Sequence, residues 1–437
     1  MRRFTLEALE TWKESVTRKP LILRGARQVG KTWLMKAFGE AAYAQSVYVN
    51  LETQKSVHTL FEGDIDIKRI LLGLQVASGK TIHPQTTLII LDEIQAVDGA
   101  LTSLKYFQED ASEYHIIAAG SLLGVALHQH TSFPVGKVDF LDIYPLDFME
   151  FLEAMGEARL LDLLKSRDWT LISTFKTKYI QWLRHYYYVG GMPEAVYAFS
   201  LRQNFKEVRA IQQRILSAYE QDFSKHAPNE VVPRIRMLWN AIPAQLAKEN
   251  KKFIYGVIKE GARAKDYELA LSWLIDCGLV HRVNRAKKPA LPLKAYEDFS
   301  AFKLFLVDLG LLSAMCQLDA KSLLEGNAIF EEFKGALTEQ YVMQQLLIDK
   351  EMVIYYWSAE KSQGEIDFLL QYQGNIVSLE VKAEENLQAK SLKAFKQKYQ
   401  PSLSLRTSMS NYREDGWLIN LPLYGIGEIG VYLQNTD

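Results

Sequence analysis

The chain runs Leu21-Ile22-Leu23-Arg24-Gly25-Ala26-Arg27-Gln28-Val29-Gly30-Lys31-Thr32 near its N-terminus, and this stretch decides the fold. Its apolar beginning predicts a short buried strand that ends at Gly25. The remainder matches the pattern G-x-x-x-x-G-K-[ST], and a helical pattern starts at Trp33. A strand, a glycine-rich turn and a helix in this order predict a loop that wraps a phosphate group.

Each part of the motif has a chemical role in holding a triphosphate. The glycines let the backbone curl so that amide N–H groups face the phosphates, and the helix presents its N-terminus to the anion. Lys31 adds positive charge near the β- and γ-phosphates, and the Thr32 hydroxyl is a ligand for Mg²⁺. The predicted nucleotide-binding residues are Gly25, Ala26, Arg27, Gln28, Val29, Gly30, Lys31, Thr32 and Trp33. The alternative is an ordinary strand–helix loop without a ligand.

A second motif follows the apolar run at residues 87–91 and ends in two acids. Asp92 is predicted to hold Mg²⁺ through water, and Glu93 to polarise the water that attacks the γ-phosphate. The next strand candidate, residues 115–119, is followed by Ser121. We expect Ser121 either to sense the γ-phosphate or to cap the helix that follows.

Further strand candidates alternate with helical patterns along the first third of the chain. They cover residues 46–50, 87–91, 115–119 and 138–143. Strands that alternate with helices form a parallel sheet with helices on both faces. The sequence therefore predicts an α/β fold of the P-loop NTPase class in this region.

Composition favours an intracellular globular protein of several domains. The chain has 437 residues, 48% hydrophobic and 24% charged, which suits about three domains of ordinary size. Its formal net charge of −1 provides no overall field that would attract nucleic acid or a membrane. The cysteines, Cys277 and Cys316, favour a reducing compartment. No apolar stretch reaches the ~18 residues of a membrane span, so we expect a cytoplasmic protein without membrane contact.

The motifs together resemble those of one protein family. Residues 24–32 and Leu91-Asp92-Glu93-Ile94-Gln95 are similar to a bacterial and archaeal family of AAA+ ATP-binding proteins. That family carries a C-terminal domain of undefined function with a PD-(D/E)XK restriction-endonuclease-like fold. Further similar stretches are Tyr144-Pro145-Leu146-Asp147-Phe148, Tyr188-Val189-Gly190-Gly191-Met192-Pro193-Glu194 and Phe302-Lys303-Leu304-Phe305-Leu306-Val307-Asp308. The resemblance spans nearly the whole chain.

The resemblance implies ATP and Mg²⁺ as cofactors and a division into four domains. They are a P-loop AAA+ ATPase domain at residues 1–148, a helical lid at 149–228, a winged-helix-like domain at 229–320 and a nuclease-like domain at 321–437. AAA+ relatives often bind nucleotide between subunits, which makes an oligomer a further expectation. Many relatives carry arginine where Lys137 stands. The unranked candidates for an arginine finger are Arg184, Arg214 and Arg263.

Charged residues near the C-terminus form a candidate catalytic constellation. Residues 376–382 alternate between apolar and polar, which puts Glu380 and Lys382 on one face of a strand. Asp367 lies on a neighbouring strand candidate, and Glu339 on the apolar stripe of a helix. Asp367 and Glu380 are predicted to bind Mg²⁺ and Lys382 to orient the attacking water, as the resemblance to PD-(D/E)XK nucleases implies. The alternative is a salt-bridged sheet face that cleaves nothing.

A basic strip lies within the predicted winged helix. No acidic residue interrupts residues 282–294. Their positive charges are Arg282, Arg285, Lys287, Lys288 and Lys294. Such a strip suits contact with the phosphates of DNA. The alternatives are a solvated basic loop and a surface for a protein partner.

Two functions compete on these observations. In the first, an ATPase couples ATP hydrolysis to a nucleic-acid-related activity through the C-terminal nuclease-like domain. In the second, ATP controls a protein-binding switch whose nuclease-like domain does not cleave. The complete phosphate-loop and acid motifs argue against a third hypothesis, a purely structural scaffold.

Overall fold

The computed structural model describes residues 1–120, 134–247, 252–325, 331–359, 364–385 and 389–434. The chain divides into two compact units. The N-terminal unit consists of Arg2–Tyr144 together with Trp273–Leu279, and the C-terminal unit of Pro145–Ser272 and Val280–Asp437 with Met1. The four domains expected from the sequence are a finer division, which stays a prediction.

The N-terminal unit alternates strands and helices in the order that the sequence predicts. Its described helices are α1 (Thr5–Glu14), α2 (Lys31–Ala42), α3 (Ile67–Ser78) and α4 (Asp98–Asp110). Short 3₁₀ helices cover Lys55–Phe61 and Ile94–Ala96. Its described strands are β1 (Leu21–Arg24), β2 (Gln45–Asn50), β3 (Thr87–Asp92), β4 (His115–Ala119) and β5 (Asp139–Asp142).

One parallel sheet organises this unit. Within the described residues its strand order is β2-β3-β4-β1-β5, and each neighbouring pair is parallel. All residues of β3 and β4 are buried, as expected for central strands that are covered on both faces. The prediction of an α/β parallel sheet is confirmed. Because parallel strands end at the same edge of a sheet, the residues that follow β1 and β3 meet there.

The C-terminal unit begins as a series of helices and continues into a mixed sheet. Its described helices are α5 (Phe148–Ala154), α6 (Ala158–Ser166), α7 (Trp169–Thr174), α8 (Lys176–Val189), α9 (Pro193–Arg202), α10 (Phe205–His226), α11 (Val232–Leu246), α12 (Ala264–Asp276), α13 (Leu309–Met315), α14 (Ala320–Glu325), α15 (Glu331–Leu346), α16 (Lys390–Tyr399) and α17 (Ile429–Gln434). The end of α12 belongs to the N-terminal unit. Short 3₁₀ helices cover Tyr255–Val257, Leu293–Tyr296 and Leu423–Glu428. No helix in the described ranges combines the length and apolar character needed to cross a bilayer.

The strands of this unit join into one sheet. They are β6 (Val280–Ala286), β7 (Glu297–Leu306), β8 (Val353–Ser358), β9 (Glu365–Tyr372), β10 (Asn375–Val381), β11 (Leu403–Ser408), β12 (Arg413–Glu414) and β13 (Ile419–Pro422). In the part of the chain that the structure describes, their order is β12-β13-β11-β10-β9-β8-β6-β7. The strands β9 and β10 are antiparallel neighbours joined by a tight turn, with Tyr372 opposite Asn375. The pairing of Arg285 on β6 with Tyr356 on β8 carries the sheet across the domain boundary expected at residue 320.

The Gly190-Gly191 turn after α8 is built around the buried carboxylate of Asp308. Asp308 Oδ2 accepts a hydrogen bond of 2.6 Å from Gly191 N, and Oδ1 accepts one of 2.9 Å from Leu311 N. A Cβ at Gly191 would lie 2.0 Å from the carbonyl oxygen of Leu146, so the close approach of two backbones requires glycine. Burial raises the pKa of Asp308 to about 6, although these hydrogen bonds act in the opposite direction.

Buried glutamines on α15 hold this helix against its neighbours. Gln340 Oε1 accepts from Leu306 N at 2.8 Å, and Gln340 Nε2 donates to Leu306 O at 2.7 Å. Gln344 Oε1 accepts from Leu309 N at 3.0 Å. These bonds satisfy backbone groups at the end of β7 and position the side chains of α15 beside that strand.

Candidate functional site

The loop between β1 and α2 has the backbone shape of an anion cradle. Gly25, Gln28 and Gly30 have positive φ angles of 140°, 66° and 94°. Left-handed residues within a turn direct successive N–H groups toward one concave side, which suits a phosphate. A Cβ at Gly25 would lie 2.2 Å from the carbonyl oxygen of Ile143, so glycine is required there.

Lys31 lies buried beneath this loop at the start of α2. Its Nζ donates to the carbonyl oxygens of Gly25 at 2.7 Å and Ala26 at 2.8 Å. Burial lowers the pKa of the Lys31 ammonium to about 8, although the Glu93 and Asp92 carboxylates favour its charged form. The lysine therefore stabilises the loop through these hydrogen bonds. A bound phosphate would further favour its charged form.

The hydroxyl of Thr32 and the carboxylate of Asp92 meet at the carboxyl edge of the sheet. Thr32 Oγ1 donates to Asp92 Oδ2 at 2.7 Å, and the Tyr48 hydroxyl donates to the same oxygen at 2.9 Å. Burial is the main cause that raises the pKa of Tyr48 to about 12, so its hydroxyl stays a proton donor at neutral pH. Sequence reasoning missed Tyr48, because the alternation along β2 marks it only as a partly exposed position.

Glu93 follows Asp92 in a backbone conformation that is uncommon for a residue with a side chain. Its φ of 51° and ψ of 46° lie in the left-handed region. Glu93 N donates to Asp92 Oδ1 at 3.1 Å, and Gln95 Nε2 donates to Glu93 Oε2 at 2.6 Å. Strained turns that surrounding contacts hold in place are typical of functional sites.

Two further residues approach the loop from outside the motif. The buried guanidinium of Arg3 donates to Val29 O at 3.1 Å and to Tyr144 O at 2.8 Å. A Cβ at Gly278, in the same unit, would lie 3.2 Å from the backbone nitrogen of Ala26. Neither residue belongs to a local sequence pattern, so only the fold identifies them.

The remaining predicted nucleotide-binding residues differ in exposure. Ala26 and Val29 are buried, and Arg27 is partly buried. Trp33, in the first turn of α2, is 47% exposed and can contact a ligand. Ser121 lies outside the described residues.

The donor set at this edge fits ATP with Mg²⁺. Mg²⁺ prefers oxygen ligands and is usually held by one or two protein groups together with phosphate and water. Thr32 and Asp92 supply a hydroxyl and a carboxylate that lie 2.7 Å apart. The anion cradle and the Lys31 ammonium lie beside them, so the residues present fit the predicted cofactors.

The C-terminal constellation spans three elements. Its members are Glu339 on α15, Asp367 on β9, Glu380 on β10 and Lys382 directly after β10. Asp367 Oδ2 accepts from Val381 N at 2.8 Å, which brings this carboxylate to the end of β10. Lys382 Nζ lies 2.6 Å from Glu380 Oε1, and the buried Arg406 is the neighbour of Glu380 across the strand pair. Glu380 therefore already has a cationic partner in Lys382.

A further cation, Lys303 on β7, lies among the other acids of this region. Its Nζ lies 3.5 Å from Glu339 Oε2 and forms an ion pair with Glu365. Among the described residues, no group of three or more His, Cys, Asp or Glu side chains is arranged to hold a metal ion. Mg²⁺ at Asp367 and Glu380 stays a prediction, and the Lys382 ammonium paired with Glu380 would compete with such an ion. Sequence reasoning missed Lys303, although a lone charge within an apolar run was a signal for a buried ion pair.

The basic strip is partly neutralised by its own unit. Arg285 Nη2 lies 2.5 Å from Asp298 Oδ2, and Lys294 forms an ion pair with Glu297. The exposed members of the strip are Lys287, Lys288 and Lys294, of which Lys294 is the one paired with Glu297. The strip therefore presents less positive charge than the sequence alone suggests.

The candidate arginine fingers also have partners within the C-terminal unit. Their partners are the carbonyl oxygen of Leu324 for Arg184, Glu194 for Arg214 and Asp266 for Arg263. None of these contacts ranks one arginine above the others within the described chain.

Segments of the chain match known domain families. Residues 17–152 match an AAA domain family. Residues 180–322 match a domain of unknown function (DUF8612), and residues 334–424 match another domain of unknown function (DUF4143). No curated protein sequence matches the chain significantly.

Solved structures show a distant similarity to the chain. The Walker-type ATPase of Pyrococcus abyssi is 14% identical with a TM-score of 0.43, over 72% of this chain and 95% of that protein. The Orc1 protein of Aeropyrum pernix, solved in complex with DNA, is 12% identical with a TM-score of 0.27, over 72% and 90% of the two chains. The Cdc6p protein of Pyrobaculum aerophilum is 12% identical with a TM-score of 0.25, over 74% and 93%. Because the AAA match covers the parallel sheet and the phosphate loop, the chain carries an AAA-type, ATP-binding ATPase domain at residues 17–152.

Proposed function

We propose that the N-terminal unit hydrolyses ATP in a Mg²⁺-dependent reaction. The observation that carries the proposal is the meeting of Thr32, Asp92 and Glu93 at one edge of the parallel sheet. Phosphoryl transfer depends mainly on positioning and on electrostatic stabilisation of the transferred group. This edge offers both, because the acids lie beside a loop that is braced by a buried lysine.

Each residue has a distinct role in this proposal. The N–H groups of the loop and the Lys31 ammonium hold the β- and γ-phosphates. Thr32 and Asp92 hold the metal ion, whose charge stabilises the negative charge that develops on the phosphate oxygens. Glu93 orients and polarises the attacking water, while Gln95 holds one oxygen of its carboxylate.

ATP turnover and ATP binding by two variants test the proposal. We expect Lys31→Ala to lose nucleotide binding, because the loop loses its buried charge. We expect Glu93→Gln to bind ATP but to lose on the order of 10²- to 10⁴-fold in turnover, the usual contribution of a positioned acid or base. Glu113→Gln, at an exposed glutamate of the same unit, is the matched control. Full turnover by Glu93→Gln would contradict the assigned role.

The nucleotide state is further proposed to control a protein-binding surface of the C-terminal unit. The pairing of Arg285 with Asp298 and of Lys294 with Glu297 supports a protein partner over DNA. Contact with DNA phosphates would compete with these internal pairs, and affinity for DNA comes mainly from free positive charge. The formal net charge of −1 adds no compensating attraction.

Amide hydrogen exchange of Glu93→Gln, with and without ATP and Mg²⁺, tests this switch. We expect bound ATP to change the exchange of residues in the C-terminal unit as well as in the N-terminal unit. A change confined to the N-terminal unit, residues 2–144 and 273–279, would count against the switch. A DNA duplex added to the turnover assay tests the nucleic-acid-related alternative, which salt-sensitive binding or stimulated turnover would favour.

We place this activity in the cytoplasm, the compartment that the cysteine content favours. An oligomer with nucleotide between subunits, which the family resemblance implies, stays a prediction. Size-exclusion chromatography with and without ATP tests it.

A further inference from the structure

We propose that Lys303 is a built-in cation that takes the place of a divalent metal ion in an acid cluster of the C-terminal unit. The acid cluster consists of Glu339 on α15 and of Glu365 and Asp367 on β9. The inference concerns one unit alone and does not depend on ATP hydrolysis at the phosphate loop.

Lys303 interrupts a strand that is otherwise apolar at this point. Its neighbours Ala301, Phe302, Leu304 and Phe305 on β7 are all buried. The Lys303 side chain itself is 0% exposed. Lysine is almost never fully buried unless it is paired, because removing an ammonium group from water is unfavourable. Its position therefore requires negative charge close by.

The acid cluster supplies that negative charge. Lys303 Nζ lies 3.5 Å from Glu339 Oε2 and forms an ion pair with Glu365. The ring of Tyr356 lies 5.0 Å from the same nitrogen, a distance that permits a cation–π contact. Burial disfavours an ammonium group, and the two carboxylates and the aromatic ring offset that cost. The lysine is therefore charged inside the unit.

Backbone contacts keep the lysine and the acids together. Gln340, directly after Glu339, exchanges two hydrogen bonds with Leu306 on β7. These bonds join α15 to the strand that carries Lys303. The approach of Lys303 to Glu339 therefore follows from the packing of two elements rather than from mobile surface side chains.

A divalent metal ion has no vacant position in this cluster. Mg²⁺ needs oxygen ligands on several sides at about 2.1 Å. The ammonium group of Lys303 already pairs with two of the carboxylates that could provide them, Glu339 and Glu365. The ammonium group also neutralises part of the negative charge that would attract a metal ion. The unit thus keeps a nuclease-like pattern of acids without the metal ion that phosphodiester cleavage would require.

Mn²⁺ titration of the full chain without nucleotide tests the inference. The wild type, Lys303→Met and Lys393→Met are compared by calorimetry and by thermal unfolding. Lys303→Met keeps an unbranched side chain of similar size but removes its charge, whereas Lys393 is an exposed lysine of the same unit. We expect the wild type and Lys393→Met to show no Mn²⁺ binding that depends on Glu339 or Asp367.

Lys303→Met should melt at a lower temperature in EDTA, because its acids repel one another. Saturating Mn²⁺ should raise that melting temperature by on the order of 5 °C, since a ligand that binds only the folded state stabilises it. Adding Glu339→Gln to Lys303→Met should remove this response. A folded Lys303→Met that shows no response to Mn²⁺ would overturn the inference.

The wild type decides the question even if Lys303→Met does not fold. Absence of Mn²⁺ binding to the nucleotide-free wild type supports the built-in cation. Saturable binding that Glu339→Gln or Asp367→Asn abolishes would overturn it. Mn²⁺-dependent cleavage of DNA that Lys382→Ala abolishes would overturn it as well, whatever the outcome of the ATP turnover assay.

Discussion

Tyr48 on β2 donates a hydrogen bond of 2.9 Å to Asp92 Oδ2, the carboxylate oxygen that also accepts from Thr32 at 2.7 Å. The other oxygen, Oδ1, accepts from Glu93 N at 3.1 Å. Both oxygens of Asp92 are thus held in place by neighbouring groups. Groups that form hydrogen bonds to a metal ligand fix its orientation and typically affect the affinity for the metal ion.

We expect Tyr48→Phe to weaken the activation of ATP turnover by Mg²⁺ by about tenfold. The physical reason is the loss of a hydrogen bond to a charged group, which contributes about 1.5 kcal/mol. Turnover measured as a function of free Mg²⁺ checks the prediction. Tyr114→Phe, at a partly buried tyrosine of the same unit, should behave as the wild type. A normal Mg²⁺ dependence of Tyr48→Phe would show that Asp92 keeps its orientation without the hydroxyl.

ATP affinity should fall as the pH rises above about 8, because the pKa of Lys31 is lowered to about 8 by burial. Bound phosphates favour the ammonium form, so the complex binds this proton more tightly than the free protein does. Below this pH, Lys31 stays protonated and causes no change of ATP affinity with pH. Above it, ATP affinity declines by up to about tenfold per pH unit. Isothermal titration from pH 7 to pH 9.5 measures the slope.

Lys31→Arg provides the control for this pH dependence. A guanidinium group does not lose its proton in this range, so the variant should show no slope, whatever its absolute affinity. The same slope in both proteins would mean that another group titrates.

The elements with a local signature could be predicted from the sequence. β1, the phosphate loop and α2 follow from one motif, and β3 from an apolar run that ends in acid. The pairing of β6 with β8 could not be predicted, because no pattern in either strand selects a partner that is distant in the chain. Long-range pairing is decided by the packing of the whole unit.

The same distinction applies to the site. The motif residues Lys31, Thr32 and Asp92 were predictable, because their chemistry requires fixed residue types at fixed spacing. Arg3 and Tyr48 were not, since each reaches the motif from another segment of the chain. Their side chains act through hydrogen bonds that exist only once the sheet has formed.

Gly191→Ala should destabilise the C-terminal unit by about 3 kcal/mol or more. The added Cβ would lie 2.0 Å from the carbonyl oxygen of Leu146, and backbone atoms on both sides cannot yield easily. Gly256→Ala is the matched control, because its Cβ would meet nothing closer than Ile254 Cγ2 at 3.9 Å. We expect that variant to stay within about 0.5 kcal/mol of the wild type in chemical unfolding. Equal stability of the two variants would mean that the turn can rearrange.

Asp308 should make the stability of the C-terminal unit depend on pH between about 4 and 6. Burial raises the pKa of this carboxyl from 3.8 to about 6. The folded state therefore holds a proton that the unfolded state has already released in this window, so stability falls as the pH rises. A shift of roughly two pKa units corresponds to ~3 kcal/mol.

The comparison of Asp308→Asn with the wild type at pH 4.5, 5.5 and 7 isolates this effect. The amide does not titrate, so the variant should lack the decline, whatever its absolute stability. Asp319→Asn is the control with the opposite sign, because hydrogen bonds from Ser322 lower the pKa of the exposed Asp319 carboxyl. Its stabilising effect is lost only below about pH 4, so its profile between pH 4.5 and pH 7 should match that of the wild type. If Asp308→Asn showed the same decline as the wild type, the pH dependence of stability would come from another group, and the carboxyl of Asp308 would not change its protonation state in this window.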